Sequence, residues 1–229
     1  MTKAQLKKSY LEKVMESDPA ATNRIAVRLT YAGYKALCSH ITAHNLWTSG
    51  HKTLARIVAN TSRRHTGVEI HPGAKIGKSV MIDHGAGVVI GETAEVGDNC
   101  ILYQGVTLGG TGKDVGKRHP TLEEGVMVSA GAKVLGPLTI GAGSKIGAGS
   151  VVLKSVPPHS TVVGVPGRVV KRNNQSLPRA DMNQTDLPDP VKEDIAALQM
   201  SNAALTNRLL ELEEELKQLK QGSTIKQTE

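Results

Sequence analysis

The sequence predicts a mainly β protein in which a parallel β-helix follows a helical N-terminal region and precedes a C-terminal coiled-coil helix. Apolar residues recur at helical spacing in residues 1–66, at every sixth position in residues 67–172, and in heptads in residues 191–221. Residues 173–190 are predicted to be an extended linker and residues 222–229 a disordered tail, because neither segment carries a repeating apolar pattern.

Three helices are expected in the N-terminal region, where they would cap one end of the following domain. The first carries one apolar stripe, made of Leu6, Tyr10, Leu11 and Val14. The segment Ser17-Asp18-Pro19 supplies a break after it. A second helix is expected from about 21 to 47 and a third from about 52 to 62.

The six-residue period is the main signal for the central domain. Small apolar residues fit it at Ile70, Ile76, Ile82, Val88, Ala94, Cys100 and Val106, and again at Val128, Val134, Ile140, Ile146 and Val152. This pattern is typical of a hexapeptide β-helix, in which three short strands form one triangular coil and each coil buries its inward residues against the next. Small residues four places later would occupy the corners: Ala74, Ala86, Ala132, Ser144 and Ser150. Ordinary hairpins would need period-two alternation, which is weak here.

The period breaks once, between Val106 and Val128, whose separation is not a multiple of six. A segment at about 109–124 must therefore leave the coils as an extruded loop. Long loops in compact domains are usually functional.

The C-terminal heptads predict a coiled coil. The a positions are Ile195, Asn202, Leu209 and Leu216, and the d positions are Leu198, Leu205, Leu212 and Leu219. Asn202 would specify the register, and Arg208 and Glu213 occupy g and e positions that can pair between helices. A single amphipathic helix folded back on its own domain is the alternative.

Composition restricts the class of protein. A net charge of +7 favours anionic partners, but the chain has no Phe, one Trp and four Tyr, which supplies few platforms for stacking bases. No nucleic-acid partner is therefore expected. No membrane partner is expected either, since no apolar stretch reaches a membrane span, and the polar start predicts a cytoplasmic protein. The two cysteines, Cys38 and Cys100, are expected to be buried thiols.

Two segments carry candidate catalytic chemistry. The stretch MIDHGAGVVIGET contains Asp83 and His84, and an imidazole can accept a proton from a hydroxyl when a carboxylate orients its other nitrogen. Hexad register makes Glu69 and Glu92 the candidates for that carboxylate, and the glycines after His84 are interpreted as clearance for the reactants. A surface histidine without a role is the alternative.

The extruded loop holds the second segment. Arg118 and His119 lie there with Lys113 and Lys117, so a cationic arm can fold back over the β-helix and bind a carboxylate or phosphate. The run GGTGK lacks the spacing of a nucleotide-binding P-loop.

The runs VEIHPGAKIGKSVMIDHGAGVVIGET, QGVTLGGTGKDVGKRHP and IGAGSKIGAGSVV, the last followed by PPHSTVVGVPGRVV, resemble serine O-acetyltransferases over about residues 17–170. This resemblance implies a left-handed β-helix, a homotrimer or dimer of trimers with active sites between neighbouring copies, and no metal. It also implies acetyl transfer from acetyl-CoA directly to the L-serine hydroxyl in cysteine biosynthesis, with cysteine as a possible inhibitor.

The same resemblance assigns site residues. His84 matches the general base and Glu69 the acid that orients it, although that acid is Asp in the best-known members. The residues that match substrate-binding positions are Asp18, Asp83, Arg118 and His119. Those that match positions lining the CoA site are Gly110, Thr111, Ala130, Lys145 and Ala148.

Some features depart from the best-known members. The helical region is shorter than in members that form dimers of trimers. The resemblance allows a sulfhydrylase partner, but the terminal isoleucine through which many members dock is missing, since Ile225 lies four residues before the last residue given. The heptad segment is an addition that would hold copies together. The other readings are a related hexapeptide acyltransferase with another hydroxyl or amine acceptor and a non-catalytic β-helix scaffold. A zinc enzyme of the γ-carbonic-anhydrase kind would need a third histidine beside His65 and His71, and none is evident.

Overall fold

A computed structural model describes residues 1–112, 116–172 and 190–225, and within the last segment the side chains of residues 195, 196 and 198–213. The chain divides into two compact units, Met1–Pro188 and Asp189–Glu229. The first begins with four helices: α1 Lys3–Ser17, α2 Arg24–Thr30, α3 Ala32–Thr48 and α4 Lys52–Thr66.

Helix α1 follows the predicted pattern. Thr2 and Gln5 form a capping box, in which the Thr2 hydroxyl accepts the Gln5 N–H at 3.2 Å and the Gln5 side chain accepts the Thr2 N–H at 2.8 Å. The predicted stripe is buried at Tyr10, Leu11 and Val14. The helix therefore packs the face that the sequence indicated.

The single helix expected over 21–47 is wrong, because Tyr31 adopts extended dihedrals and separates α2 from α3. Tertiary contacts explain the break. The Tyr31 hydroxyl bonds to Asp18, and Gly33 at the start of α3 lies so close to Ile82 that a β-carbon there would be 2.0 Å from the Ile82 carbonyl oxygen. Helix α4 also runs past the expected end to Thr66, where Gly67 ends it with φ of +71°.

Three parallel sheets form the faces of a triangular prism, which confirms the predicted parallel β-helix. Sheet A contains β1 Glu69–Ile70, β4 Val89–Ile90, β7 Thr107–Gly109, β10 Lys133–Leu135 and β13 Val151–Val152. Sheet B contains β2 Lys75–Ile76, β5 Glu95–Val96, β8 Thr121–Leu122 and β11 Thr139–Ile140. Sheet C contains β3 Met81–Ile82, β6 Ile101–Leu102, β9 Met127–Val128, β12 Lys145–Ile146 and the antiparallel pair β14 Ser160–Val163 and β15 Arg168–Arg172. Because the chain visits A, B and C in turn, we call its connections the A–B, B–C and C–A corners.

Strand register corrects the predicted spacing of the repeat. Ile82 pairs with Leu102 and Ile70 with Ile90, so Ile90 and not Val88 takes the strand position that follows Ile82. The coil is two residues longer here because the C–A corner is expanded. Val88 is nevertheless fully buried, as each coil turns inward both a strand residue and the residue two places before it. Ala86 was expected at a tight corner but is exposed.

The chain leaves the coils between the end of β7 at Gly109 and the start of β8 at Thr121, a shorter loop than the expected 109–124. Lys113 lies outside the described residues, as do 173–189, where a linker was expected, and 226–229. Helix α5 spans Pro190–Ile225, so the prediction of disorder is wrong for 222–225. None of the helices in the described ranges is long and apolar enough to cross a membrane.

Candidate active site

The expanded C–A corner, residues 83–87, carries His84. The corner stacks between the end of α4 and the next C–A corner, because the Gly87 N–H donates to the Gly67 carbonyl at 3.0 Å and the Ala86 carbonyl accepts the Gly105 N–H at 2.8 Å. His84 itself has φ of +56°, an uncommon conformation for a residue with a β-carbon. Such conformations persist where the surrounding structure imposes them, often at functional sites. The imidazole is presented to the outside of the prism.

Asp83 and Gly85 hold this corner in shape. The Asp83 carboxylate accepts the His84 N–H at 2.9 Å. A β-carbon on Gly85 would lie 2.7 Å from Val68 Cγ2, inside the prism, and its φ of +84° favours glycine. The interpretation of the glycines as clearance for reactants is therefore wrong for Gly85, whose role is close packing.

Asp18 reaches the same corner through Tyr31. The Tyr31 hydroxyl donates to Asp18 Oδ2 at 2.6 Å, and the Ala20 N–H donates to Asp18 Oδ1 at 2.8 Å. The hydrogen bond to Asp18, burial, and the negative charges of Asp18 and Asp83 raise the pKa of Tyr31 to about 12. The two predicted acids thus lie on one side of the site. Tyr31 was missed by the sequence analysis, since no motif marks it.

Glu69 lies on β1, and its carboxylate faces α4. Its Oε2 atom is 3.3 Å from Arg63 Nη1, with both side chains about half exposed. Within residues 1–112 no hydrogen bond joins Glu69 to His84. The other candidate, Glu92, is paired with Arg118. Within the described residues of a single chain, neither acid is hydrogen-bonded to the His84 imidazole.

Arg118 and His119 lie at a different place, the A–B corner, where the extruded loop returns to the prism. The Thr93 hydroxyl accepts both the Arg118 N–H and the His119 N–H at 3.0 Å. The Arg118 guanidinium donates to the Glu92 carboxylate, which lowers the pKa of Glu92. Lys117 Nζ adds a bond to the Thr93 carbonyl at 2.8 Å. Thr93 is the anchor of the loop, and the sequence analysis missed it.

Thr93 also determines which nitrogen of His119 carries the proton. The Thr93 N–H lies 3.2 Å and its hydroxyl oxygen 2.9 Å from His119 Nδ1. A backbone N–H can only donate, so Nδ1 is the acceptor and the neutral ring carries its hydrogen on Nε2. Burial, followed by the positive charge of Arg118, lowers the pKa of His119 and favours this neutral form. The ring lies against Gly91, where a β-carbon would be 1.9 Å from His119 Cδ2.

The residues predicted to bind CoA fall at both corners. Ala130 and Ala148 continue the C–A corner column below His84, which runs through the bonds from Gly131 N–H to the Gln104 carbonyl and from Gly149 N–H to the Ala130 carbonyl. Gly110 and Thr111 lie at the A–B corner, and a β-carbon on Gly110 would be 3.3 Å from His119 Nε2. Lys145 lies on β12 in sheet C.

The predicted site is therefore two half-sites, separated by the width of sheet A. The C–A half-site contains Asp18, Asp83 and His84, with the alanine column beside them. The A–B half-site contains Arg118, His119 and the start of the loop. One half-site offers a base and anions, and the other offers cations and a neutral donor. No cluster of three or more His, Cys, Asp or Glu side chains suited to a metal occurs among the residues that the structure describes.

Known proteins share this sequence pattern and fold. The description "Bacterial transferase hexapeptide (six repeats)" matches residues 119–154. A serine acetyltransferase of Bacillus licheniformis is 51% identical over 222 residues, which cover 97% of this chain and 96% of that protein.

Two solved structures are similar as well. A serine acetyltransferase in complex with cysteine has a TM-score of 0.78 and 42% identity, and the match covers 81% of this chain and 72% of that one. The Brucella abortus serine acetyltransferase in complex with coenzyme A has a TM-score of 0.73 and 42% identity, and the match covers 75% of this chain and 68% of that one.

The prism and the matches to hexapeptide transferases place the chain among the left-handed β-helix acyltransferases, as the family resemblance implied. Within that class, the chain belongs to the serine acetyltransferase family.

Proposed function

We propose that this protein transfers the acetyl group of acetyl-CoA to the hydroxyl of L-serine, giving O-acetyl-L-serine and CoA for cysteine biosynthesis. The observation that supports this most directly is the expanded C–A corner. Two extra residues lift His84 out of the repeat and place it at the end of the column that contains Ala130 and Ala148. A base is thereby held where an extended thioester lying along the column would end.

His84 is proposed as the general base. Its imidazole takes the proton of the serine hydroxyl as the oxygen attacks the thioester carbonyl, which forms the new C–O bond. The tetrahedral intermediate then expels the CoA thiolate, which takes a proton from the imidazolium. Holding both reactants at one corner supplies the orientation that a direct transfer needs.

The remaining groups suit an amino acid. Asp18 and Asp83 both act as negative charges on Tyr31, and Asp83 is the neighbour of His84, so the two acids fit the substrate ammonium group. Arg118 and the Nε2–H of His119 fit the substrate carboxylate. The guanidinium N–H groups and the imidazole Nε2–H can only donate hydrogen bonds, and an ionised carboxylate can only accept them. Cysteine has the same ammonium and carboxylate groups as serine, so we propose that it binds at these residues as an inhibitor.

The separation of the half-sites leads to the proposed assembly. We infer that the active site forms between neighbouring copies, where the C–A corner of one copy meets the A–B corner of the next, as in a homotrimer or a dimer of trimers. Gly110, Thr111, Ala130 and Ala148 then line the CoA site from two copies, and the Lys145 ammonium suits a CoA phosphate. Glu69 remains the proposed partner of His84, which requires it to exchange Arg63 for the imidazole.

The test is the variant His84→Asn, since Asn tolerates positive φ. We expect kcat to fall by about 10²–10⁴-fold, measured as CoA thiol release with serine. His159→Asn is the matched control, because His159 also has positive φ but lies at the B–C corner. Full activity of His84→Asn would refute the mechanism. Parent protein that acetylates another hydroxyl or amine but not serine would refute the substrate.

A further inference from the structure

Helix α5 presents a leucine seam to solvent. The apolar residues described at its a and d positions are between 40% and 69% exposed: Ile195, Leu198, Leu205, Leu209 and Leu212. A helix of 36 residues with such a seam buries it in a coiled coil, because apolar side chains repeating every 3.5 residues face one partner continuously. The pattern and exposure therefore call for a partner helix with the same repeat.

Asn202 identifies the partner as a second copy in parallel register. In a parallel, in-register pair Asn202 faces its own equivalent, and two amides can hydrogen-bond to each other. In an antiparallel pair centred on the seam, its amide would instead face a leucine layer and lose hydrogen-bonding partners, which is costly. The amide thus favours parallel copies of this same helix.

Charge at the flanking positions agrees with this arrangement. In parallel coiled coils a g residue faces the e residue five places later on the next helix. Arg208 at g is followed by Glu213 at e, and Glu215 at g by Lys220 at e, so both pairs of positions carry opposite charges. Within one chain Arg208 Nη1 bonds to Glu211 at 2.8 Å, a pair so exposed that exchanging it costs little.

We propose that α5 joins copies of this chain in a parallel, in-register coiled coil. The coiled coil keeps the copies associated at low protein concentration, so that the half-sites of neighbouring copies stay together. This inference rests on the proposed function only in its consequence for activity. Tethering raises the effective concentration of one copy at another without adding any contact at the active site.

Cross-linking tests the register in the full-length chain. Leu205→Cys and Asn207→Cys, both of which keep Asn202, are compared in a Cys38→Ser background, with oxidised glutathione as the oxidant. Position 205 is a d position in the seam, whereas 207 is an f position on the opposite face. We expect the inter-chain disulfide to form at least about tenfold faster at 205, where parallel register holds the two thiols together. Equal rates, or faster reaction at 207, would overturn the proposal.

A pair of adjacent leucines tests the consequence. Leu209 is 62% exposed at an a position and Leu210 is 59% exposed at a b position, so either can be changed to Asp without disturbing the fold of one chain. Leu209→Asp should raise the protein concentration of half-dissociation at least about tenfold and lower specific activity on dilution, with activity unchanged at high concentration. Leu210→Asp should match the parent.

Identical dissociation and dilution curves for the two leucine variants would overturn the role of α5. The cross-linking and mass measurements need no acetyl transfer. If all proteins assemble as expected but none acetylates serine, the proposed function fails and the coiled coil stands.

Discussion

Replacing Thr93 with valine should loosen the Arg118–His119 arm, which is proposed to hold the substrate carboxylate. Valine keeps the branched shape and removes only the hydroxyl, which accepts the N–H groups of Arg118 and His119. His119 is 9% exposed, so water cannot readily replace the lost acceptor of its N–H. The hydroxyl also lies 2.9 Å from His119 Nδ1, but that nitrogen keeps the Thr93 backbone N–H as a donor in the variant. The loss is therefore that of the two N–H bonds, at about 1 kcal/mol each, or about 30-fold in an equilibrium.

We therefore expect kcat/KM for serine to fall about 30-fold in Thr93→Val, mainly through KM, because the proposed role of the arm is to bind substrate and not to take its proton. Thr93→Ser keeps the hydroxyl and should restore most of the loss. Thr139→Val is the matched control, since within the described residues the Thr139 hydroxyl makes no hydrogen bond. CoA release measured across a serine titration gives both constants. A Thr93→Val protein within about twofold of the control, or a loss confined to kcat, would refute the reasoning.

Two further predictions concern stability. Gly33→Ala forces a β-carbon to within 2.0 Å of the Ile82 carbonyl oxygen on β3 and should cost more than about 3 kcal/mol of unfolding free energy. The control Gly50→Ala is strained at φ of +89° but lies in open space, so it should cost about 1 kcal/mol. Equal losses in denaturant titration would contradict this. Burial lowers the pKa of His40 to about 3, so the folded state keeps the ring neutral while the unfolded chain takes up a proton below about pH 6.5. The unfolding free energy should therefore fall as the pH decreases from about 6.5 toward 3, by at most about 1.4 kcal/mol per pH unit for this group, and His40→Gln but not the exposed His51→Gln should flatten that slope.

The architecture could be predicted from the sequence because the spacing of the apolar residues in a repeat determines which side chains each coil buries. A six-residue apolar period builds triangular coils wherever it occurs, and a break in the period marks an extruded loop. Residue type made His84, Arg118 and His119 candidates, since few side chains can serve as a base or bind a carboxylate, and the family resemblance supplied their expected roles. Their roles remain predictions.

The register of the strands and the hydrogen-bond partners of the site residues were decided only by the tertiary structure. Each coil turns two positions inward, so Val88 and Ile90 satisfy the same apolar pattern, and only strand pairing shows the two-residue expansion that displaces His84. Thr93 and Tyr31 act through hydrogen bonds to residues 25 and 13 positions away, which local patterns do not encode. The break at Tyr31 follows from the contact between Gly33 and Ile82 across the fold. Periodicity determines which faces are buried, whereas the site depends on contacts between residues far apart in the chain.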